Sequence, residues 1–371
     1  MRSSSDSPLS TYRFTTGISK TFQLFRLAMP RFILISADTV NTMIKTFLFF
    51  FLLLLVTSIT FSQVYRKTEP LSHTFSIVAR DATTGELGVA VQSHWFSVGT
   101  AVSWAEAGVG AVATQSFTNK SFGPRGLQLL RAGLTAKQAL DSLLATDEGR
   151  EVRQVAIVDR NGSVAVHTGK ACIDEAGHYT GDGYSVQANM MLTGKVPAAM
   201  SSAFEKSSGK PLAERLLLSL EAAQAAGGDI RGKQSAALLI VPGKSNNEPW
   251  NERTVDLRVD DAAVPLKELR RLYNVHTAYQ HMNNGDEAVE KSNMPGAMKY
   301  YGAAMKLFPQ NLEMRYWTAI TLANNKEVPK ALPMLKSIFA KDPNWKELTR
   351  RLPKVGLLAV SEKDLEKILR L

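Results

Sequence analysis

The chain has 371 residues, 44% hydrophobic and 21% charged, a composition that excludes an intrinsically disordered protein. Its length suits two domains better than one, at about 100–200 residues each. The net charge of +10 falls to +6 once residues 1–62 are set aside, and no Lys/Arg run concentrates the remainder, which argues against nucleic-acid binding. Cys172 is the single cysteine, so an intrachain disulfide and a CxxC metal or redox pair are excluded, and a buried small hydrophobe is its simplest role.

In chain order, the first strong signal is MIKTFLFFFLLLLVTSITFSQ, Met43 to Gln63. One Lys precedes an unbroken apolar run from Phe47 to Val56, and Thr60 and Ser62 occupy the small-residue positions that signal peptidase reads. The run falls short of the roughly 20 apolar residues that span a bilayer. Residues 43–62 are therefore read as an export signal cleaved after Ser62, with an uncleaved anchor as the alternative, and the mature protein as periplasmic or extracellular. Residues 1–42 then read as an extension upstream of the true start, expected to be disordered, and 63–72 as a short linker.

From His73 to about 262 strand-like and helix-like blocks alternate. HTFSIVARD and GELGVAVQS flank the turn cluster Ala82 to Gly85 and predict a hairpin. AVSWAEAGVGAVATQS predicts two strands from Ala101, broken at Gly108 and Gly110. A helix is predicted from near Pro124 to about Ala132, and another after Thr135, a plausible N-cap. RQVAIVDRNGSVAVHTG carries Asn161-Gly162 between two β-rich runs, which demands a tight hairpin turn. Pro197 to Ala226 reads as two helices split at Gly209, and QSAALLIV and TVDLRVD return to strands. This order predicts antiparallel sheets with helices packed outside them, an α+β layered domain over 73–262.

Residues 263–371 are helical in pattern, starting with a helix from Pro265 to about Met282. Pro295, Ala297 and Pro309 recur as Pro329, Ala331 and Pro343, and Tyr301 and Ala304 recur as Leu335 and Ile338. That shift is the tetratricopeptide period of about 34 residues, in which small residues let paired helices approach.

The six histidines, His73, His94, His167, His178, His276 and His281, form no HExxH or HxH pair, so no metal is expected. No GxGxxG or GxxxxGK[ST] follows a strand, which excludes the usual nucleotide folds, and no other cofactor is implied. No GxSxG elbow is present, although a triad assembled from distant residues stays open. There remains a threonine at the start of a domain. A threonine hydroxyl needs a base beside it, and when Thr is the first residue its own α-amino group, with a pKa near 8, serves. Without that cut, Thr74 is an ordinary strand residue.

The runs HTFSIVARD, GELGVAVQS, WAEAGVGAVATQ, FGPRGLQLL, RQVAIVD, TGKAC, VQANMM, GGDIRGKQSAAL and VDLRVDD, in that order over about His73 to Asp261, resemble the bacterial family called domain of unknown function 1028. The resemblance implies the fold of the N-terminal-nucleophile hydrolases, a four-layer αββα sandwich whose first strand carries the nucleophile. It implies cleavage of amide bonds, with Thr74 as nucleophile and no assigned substrate. The C-terminal helices resemble a small domain appended to some members and labelled peptidoglycan-binding, which implies cell-wall contact. Many relatives begin with the equivalent of Thr74 directly after the initiator Met. Here eleven residues, Gln63 to His73, stand between the expected signal cleavage and Thr74, so a second cut at His73-Thr74 is required to free the amine.

Motif positions near the start of the first strand supply further candidates: Ser93 and His94 at the end of the second strand, Gln115 at the end of another, and Gln187 and Asn189 on a polar strand face. Asn189 and Gln115 suit an oxyanion donor; Arg125, in GPRG, suits a substrate carboxylate. Asp229, Arg231 and Gln234 form a polar loop that reads either as part of a site or as a salt-bridged turn. Each of these residues also has an ordinary reading as a hydrogen-bonding group inside the fold. The function expected is an exported amidohydrolase acting on a small-molecule, peptide or cell-wall amide. Its partners would be that substrate and peptidoglycan, with membrane contact only through the signal segment and self-association left open. The alternative is a non-catalytic envelope scaffold that binds through its helical tail; a sugar or peptide receptor is a third.

Overall fold

The computed structural model describes residues 38, 41, 42, 44–46, 71, 72 and 74–371. The expected export signal (apart from 44–46), the linker (apart from 71 and 72) and His73 lie outside the described residues, as does most of 1–42. The chain divides into one unit of residues 1–62 and another of 63–371. In the first, the described residues from Asp38 to Thr46 are helical and exposed. Among the described residues no helix is long and apolar enough to cross a membrane.

The second unit is a mixed α+β structure built on two antiparallel sheets. Its first long strand, β2 (Thr74–Arg80), follows the two-residue β1 (Leu71–Ser72) and returns as β3 (Leu87–Ser93). The turn closes because Asp81 accepts the backbone N–H of Thr83 and Thr84, each at 2.9 Å, and Gly85 takes a φ of 75° that a side chain would oppose. A four-residue helix, α1 (Gly99–Val102), leads into β4 (Ser103–Glu106) and β5 (Gly110–Phe117). The strand expected from Ala101 thus begins two residues later, because Val98, Ala101 and Val102 bury their side chains from a helical turn.

Two helices follow, α2 (Phe122–Arg131) and α3 (Ala136–Ala145). Thr135 caps α3 reciprocally: its side chain accepts from Gln138 N–H, and the Gln138 side chain accepts from Thr135 N–H. β6 (Arg153–Asp159) and β7 (Val164–Thr168) make the hairpin demanded by Asn161-Gly162, with Gly162 at φ 88°. β8 (Gly177–Gly181) and β9 (Tyr184–Ala188) form a further hairpin, of which the polar β8 had no pattern to betray it. Helices α4 (Val196–Lys206) and α5 (Leu212–Ala225) precede β10 (Ser235–Val241) and β11 (Val255–Val259).

One sheet runs β1-β5-β6-β7, with β4 also paired to β5; the other runs β11-β10-β3-β2-β9-β8. Period-2 alternation gives each strand two faces. Phe75, Ile77 and Ala79 of β2 pack with Val186, Leu238 and the buried faces of α4 and α5. Val112, Val155 and Ile157 of the other sheet pack with Phe122, Leu127 and Leu143 of α2 and α3. A third cluster joins the two sheets through Val78, Val89, Val91, Ala111, Ala113, Ala156, Val158 and Leu239.

Five longer or shorter helices complete the unit after α6 (Pro265–Glu290): α7 (Met294–Leu307), α8 (Leu312–Asn324), α9 (Val328–Lys341), α10 (Asn344–Arg351) and α11 (Glu362–Leu369). α6 runs eight residues past the expected end at Met282, about 39 Å in all at 1.5 Å per residue. The reason is that it serves two cores. Leu266 and Leu269 enter the cluster beneath α5, while Ala278, Met282 and Ala288 pack against Ala297, Tyr301 and Ala304 of α7. Arg270 fastens α6 to α5 by ion pairs with Glu214 and Glu221. Met294 and Val328 open α7 and α9 at the same 34-residue spacing as the sequence repeat. The repeated positions Ala297, Tyr301 and Ala304, and Ala331, Leu335 and Ile338, are all buried.

Candidate functional site

The strand registers bring two polar rows together between the sheets. On one sheet Gln115, Gln154 and Thr168 lie directly opposite one another across β5, β6 and β7. On the other, Thr74 pairs with Ser93 and Ser93 with Ser235, while Ser76 pairs with Gln187 and Gln187 with His178. Thr74, Ser76, Ser93, Gln115, Gln154, Gln187 and Asn189 have no exposed surface, so each polar atom must find a partner inside the protein.

They find one another. Ser76 Oγ donates to Gln115 Oε1 at 2.6 Å and accepts from Gln187 Nε2 at 2.6 Å. Gln154 Oε1 accepts from Gln115 Nε2 at 2.7 Å and Asn189 Nδ2 at 2.9 Å. The two hydrogens of Gln154 Nε2 are shared among Thr168 Oγ1 (2.9 Å), Ala188 O (2.9 Å) and Gly177 O (3.2 Å). Thr168 Oγ1 in turn lies 2.9 Å from His178 Nδ1, which links the buried layer to a partly exposed imidazole.

The Thr74 carbonyl is the point on which these amides converge. It accepts from Asn189 N–H at 3.1 Å, with Gln115 Nε2 at 3.2 Å and Asn189 Nδ2 at 3.4 Å. The two amides expected as oxyanion donors are thus spent on the backbone of Thr74 and on Gln154, so they position Thr74 in this structure. Each is followed by a residue in the left-handed region, Ser116 at φ 72° and Met190 at φ 56°. Such conformations are uncommon for residues other than glycine and gather at sites the surrounding structure holds fixed.

The remaining candidates sort by position. Ser93 is the last residue of β3 and faces Thr74 across the ladder. His94 lies just beyond, exposed, with its backbone N–H on Asp229 Oδ2 at 3.2 Å. Asp229 is buried and paired to Arg231 at 2.7 Å, and its backbone bridges Met191, so the polar loop is a salt-bridged turn fastened beside Asn189. Gln234 donates from its backbone to Ser93 O at 3.0 Å and from its side chain to Asp261 at 3.3 Å. Arg125 is not brought to this layer: it is exposed on α2 and reaches Thr146 at the end of α3, 3.3 Å away.

Ser76 and Gln154 were missed by sequence reasoning. For Ser76 the signal was present in TFS, where polar residues at i and i+2 interrupt a strand that is otherwise apolar on both faces; Gln154, beside Arg153 at the head of RQVAIVD, carried no such pattern. Cys172 is half-buried, its thiol 3.4 Å from Arg153 O, and burial pushes its pKa up, opposed by the nearby Ser116 hydroxyl and Gly169 backbone. Burial, with the nearby His167, lowers the pKa of His178. Among the described residues no three His, Cys, Asp or Glu side chains gather as metal ligands.

Two antiparallel sheets, many helices and a buried amide-hydroxyl layer at the head of β2 define a class of mixed α+β protein with a buried polar centre. The chain belongs to the family of unknown function DUF1028, whose sequence profile matches residues 74–269. It is similar to the crystal structure of protein SPO2555 from Silicibacter pomeroyi, of that family, at 33% identity and a TM-score of 0.50, over 56% of this chain and 90% of that one. Anbu (ancestral beta-subunit) from Yersinia bercovieri is more distant, at 10% identity and a TM-score of 0.29, over 54% of this chain and 93% of that one, too slight a likeness to argue from. No curated protein matches the chain.

Proposed function

We propose that the protein is an amide hydrolase of the N-terminal-nucleophile kind, with Thr74 as nucleophile and the packing of helices and sheets as that superfamily's αββα sandwich. The observation that carries this reading is the fixing of Thr74 at the head of β2 by Asn189 and by the amide layer of Gln115 and Gln154. Cleavage of the His73-Thr74 bond would free the α-amine. Thr74 Oγ then attacks the substrate carbonyl carbon and passes its proton to that amine. The scissile C–N bond breaks as the leaving amine takes the proton, and water hydrolyses the resulting ester. Export by the segment 43–62 and cell-wall contact through the helical tail belong to the same proposal.

The test is the mature N-terminus. Intact mass and N-terminal sequencing should find a chain that begins at Thr74. An electrophilic β-lactone probe should then label Thr74 in the wild type and leave Thr74→Ala unlabelled. A chain beginning at Gln63 that still hydrolyses amides would remove the free-amine mechanism.

One observation favours the scaffold reading. Leu71 and Ser72 pair with Phe117 and Ser116, so the uncut chain enters Thr74 from a strand of the other sheet. If the chain stays uncut, the polar layer serves the fold and the helical tail carries binding. Pulldown on peptidoglycan, full length against a chain truncated near Asp261, separates the two: equal retention would dismiss the tail as the binder.

A further inference from the structure

At the end of β2 remote from Thr74, a cavity of about 660 Å³ opens between the β2–β3 turn, the β8–β9 turn and the α4–α5 connection, large enough for a small ligand. Its aromatic wall is Tyr184 and Phe204, whose ring centroids are 4.6 Å apart. Arg215, on the first turn of α5, lies with its guanidinium carbon 3.9 Å over the Phe204 ring, which fixes the plane of its fork. Of its five N–H donors one reaches Asp81, at 3.4 Å, and Nε is buried with no acceptor among the described residues. Arg80, also on the wall, has its Nε in the same condition. Lys210 adds an exposed ammonium at the rim.

The carboxylates of the lining have local donors instead. Asp81 takes the two turn N–H groups, Glu205 accepts Tyr184 O–H at 2.5 Å, and Glu86 accepts Thr84 O–H at 3.2 Å. Asp182, in the β8–β9 turn, is the remaining one. The buried side-chain polar atoms of this lining that lack a partner among the described residues are the Nε atoms of its two arginines.

We infer that the cavity binds a small oxyanion, a carboxylate or a phosphate, on the Arg215 fork with Lys210 as second cation. This site is separate from Thr74 and does not depend on the chemistry proposed there. Calorimetric titration of the full chain at low ionic strength, with inorganic phosphate and with succinate in separate arms, tests it. Saturable binding of at least one probe is expected, and the arm that binds identifies the anion. Arg215→Lys keeps the charge but loses the fork and should weaken binding about tenfold. Lys210→Gln, an exposed change that leaves the fold alone, should weaken it a few-fold, and Thr74→Ala should not alter it. Absence of saturable binding of both probes, or affinity unchanged in both cavity variants, overturns the inference. Should Arg215→Lys fail to fold, Lys210→Gln alone decides.

Discussion

Gln154→Leu is the sharpest probe of the polar layer. Gln154 is fully buried and sits where both sheets meet; its Oε1 accepts from Gln115 Nε2 at 2.7 Å and Asn189 Nδ2 at 2.9 Å, and its Nε2 serves Thr168, Gly177 and Ala188. Leucine fills a similar volume, so the loss is polar and not steric. Two amide donors lose this acceptor, and each buried unsatisfied group costs about 1–3 kcal/mol. The Thr74 carbonyl, 3.2 and 3.4 Å from the same donors, recovers part of this. The net loss should be about 3–5 kcal/mol, since neighbouring effects do not add fully. Urea unfolding followed by tryptophan fluorescence would show it as a fall in midpoint of about 1 M or more, at roughly 3 kcal/mol per M. Thr168→Val is the internal control: it removes one acceptor while Gln154 Nε2 keeps Gly177 O and Ala188 O, so about 0.5–1.5 kcal/mol is expected. If Gln154→Leu costs no more than this control, the layer is not a cooperative network and its role in fixing Thr74 fails with it.

Thr135→Ala breaks the capping box of α3 and should cost about 1 kcal/mol in the same unfolding assay; no change would mean the cap is replaced by water at no loss. Leu269→Ala removes a fully buried side chain through which α6 joins the sheet core and should cost about 2–5 kcal/mol, with protease sensitivity appearing near the start of α6. Because burial raises the pKa of Cys172, iodoacetamide at neutral pH should alkylate the folded protein more slowly than the urea-unfolded chain, and equal rates would contradict a half-buried thiol with a raised pKa.

Local chemistry made the elements legible. Asn161-Gly162 marks its hairpin because Gly162 accepts the left-handed φ of 88° that closes the turn, and Thr135 with Gln138 marks a helix start by spacing alone. The repeat around Tyr301 and Leu335 was visible because helix pairing needs small and large residues at fixed intervals. Where signals were weak, boundaries moved. GHYTG lacks alternating apolar residues, so β8 went unseen, and α6 overran Met282 because its later residues are buried by α7 and not by anything adjacent in sequence.

By itself the sequence determined the α+β class, the helical C-terminal part and the place of Thr74 at the head of a strand, since these follow from periodicity, turn chemistry and motif order. Tertiary structure decided which polar groups meet. Ser76 and Gln115 are 39 residues apart and Ser76 and Gln187 are 111 apart, yet each pair lies 2.6 Å apart. Strand alternation assigns a side chain to a face, but only register and the stacking of one sheet on the other select the residue opposite. Tertiary structure likewise keeps Arg125, exposed on α2, apart from the buried Thr74.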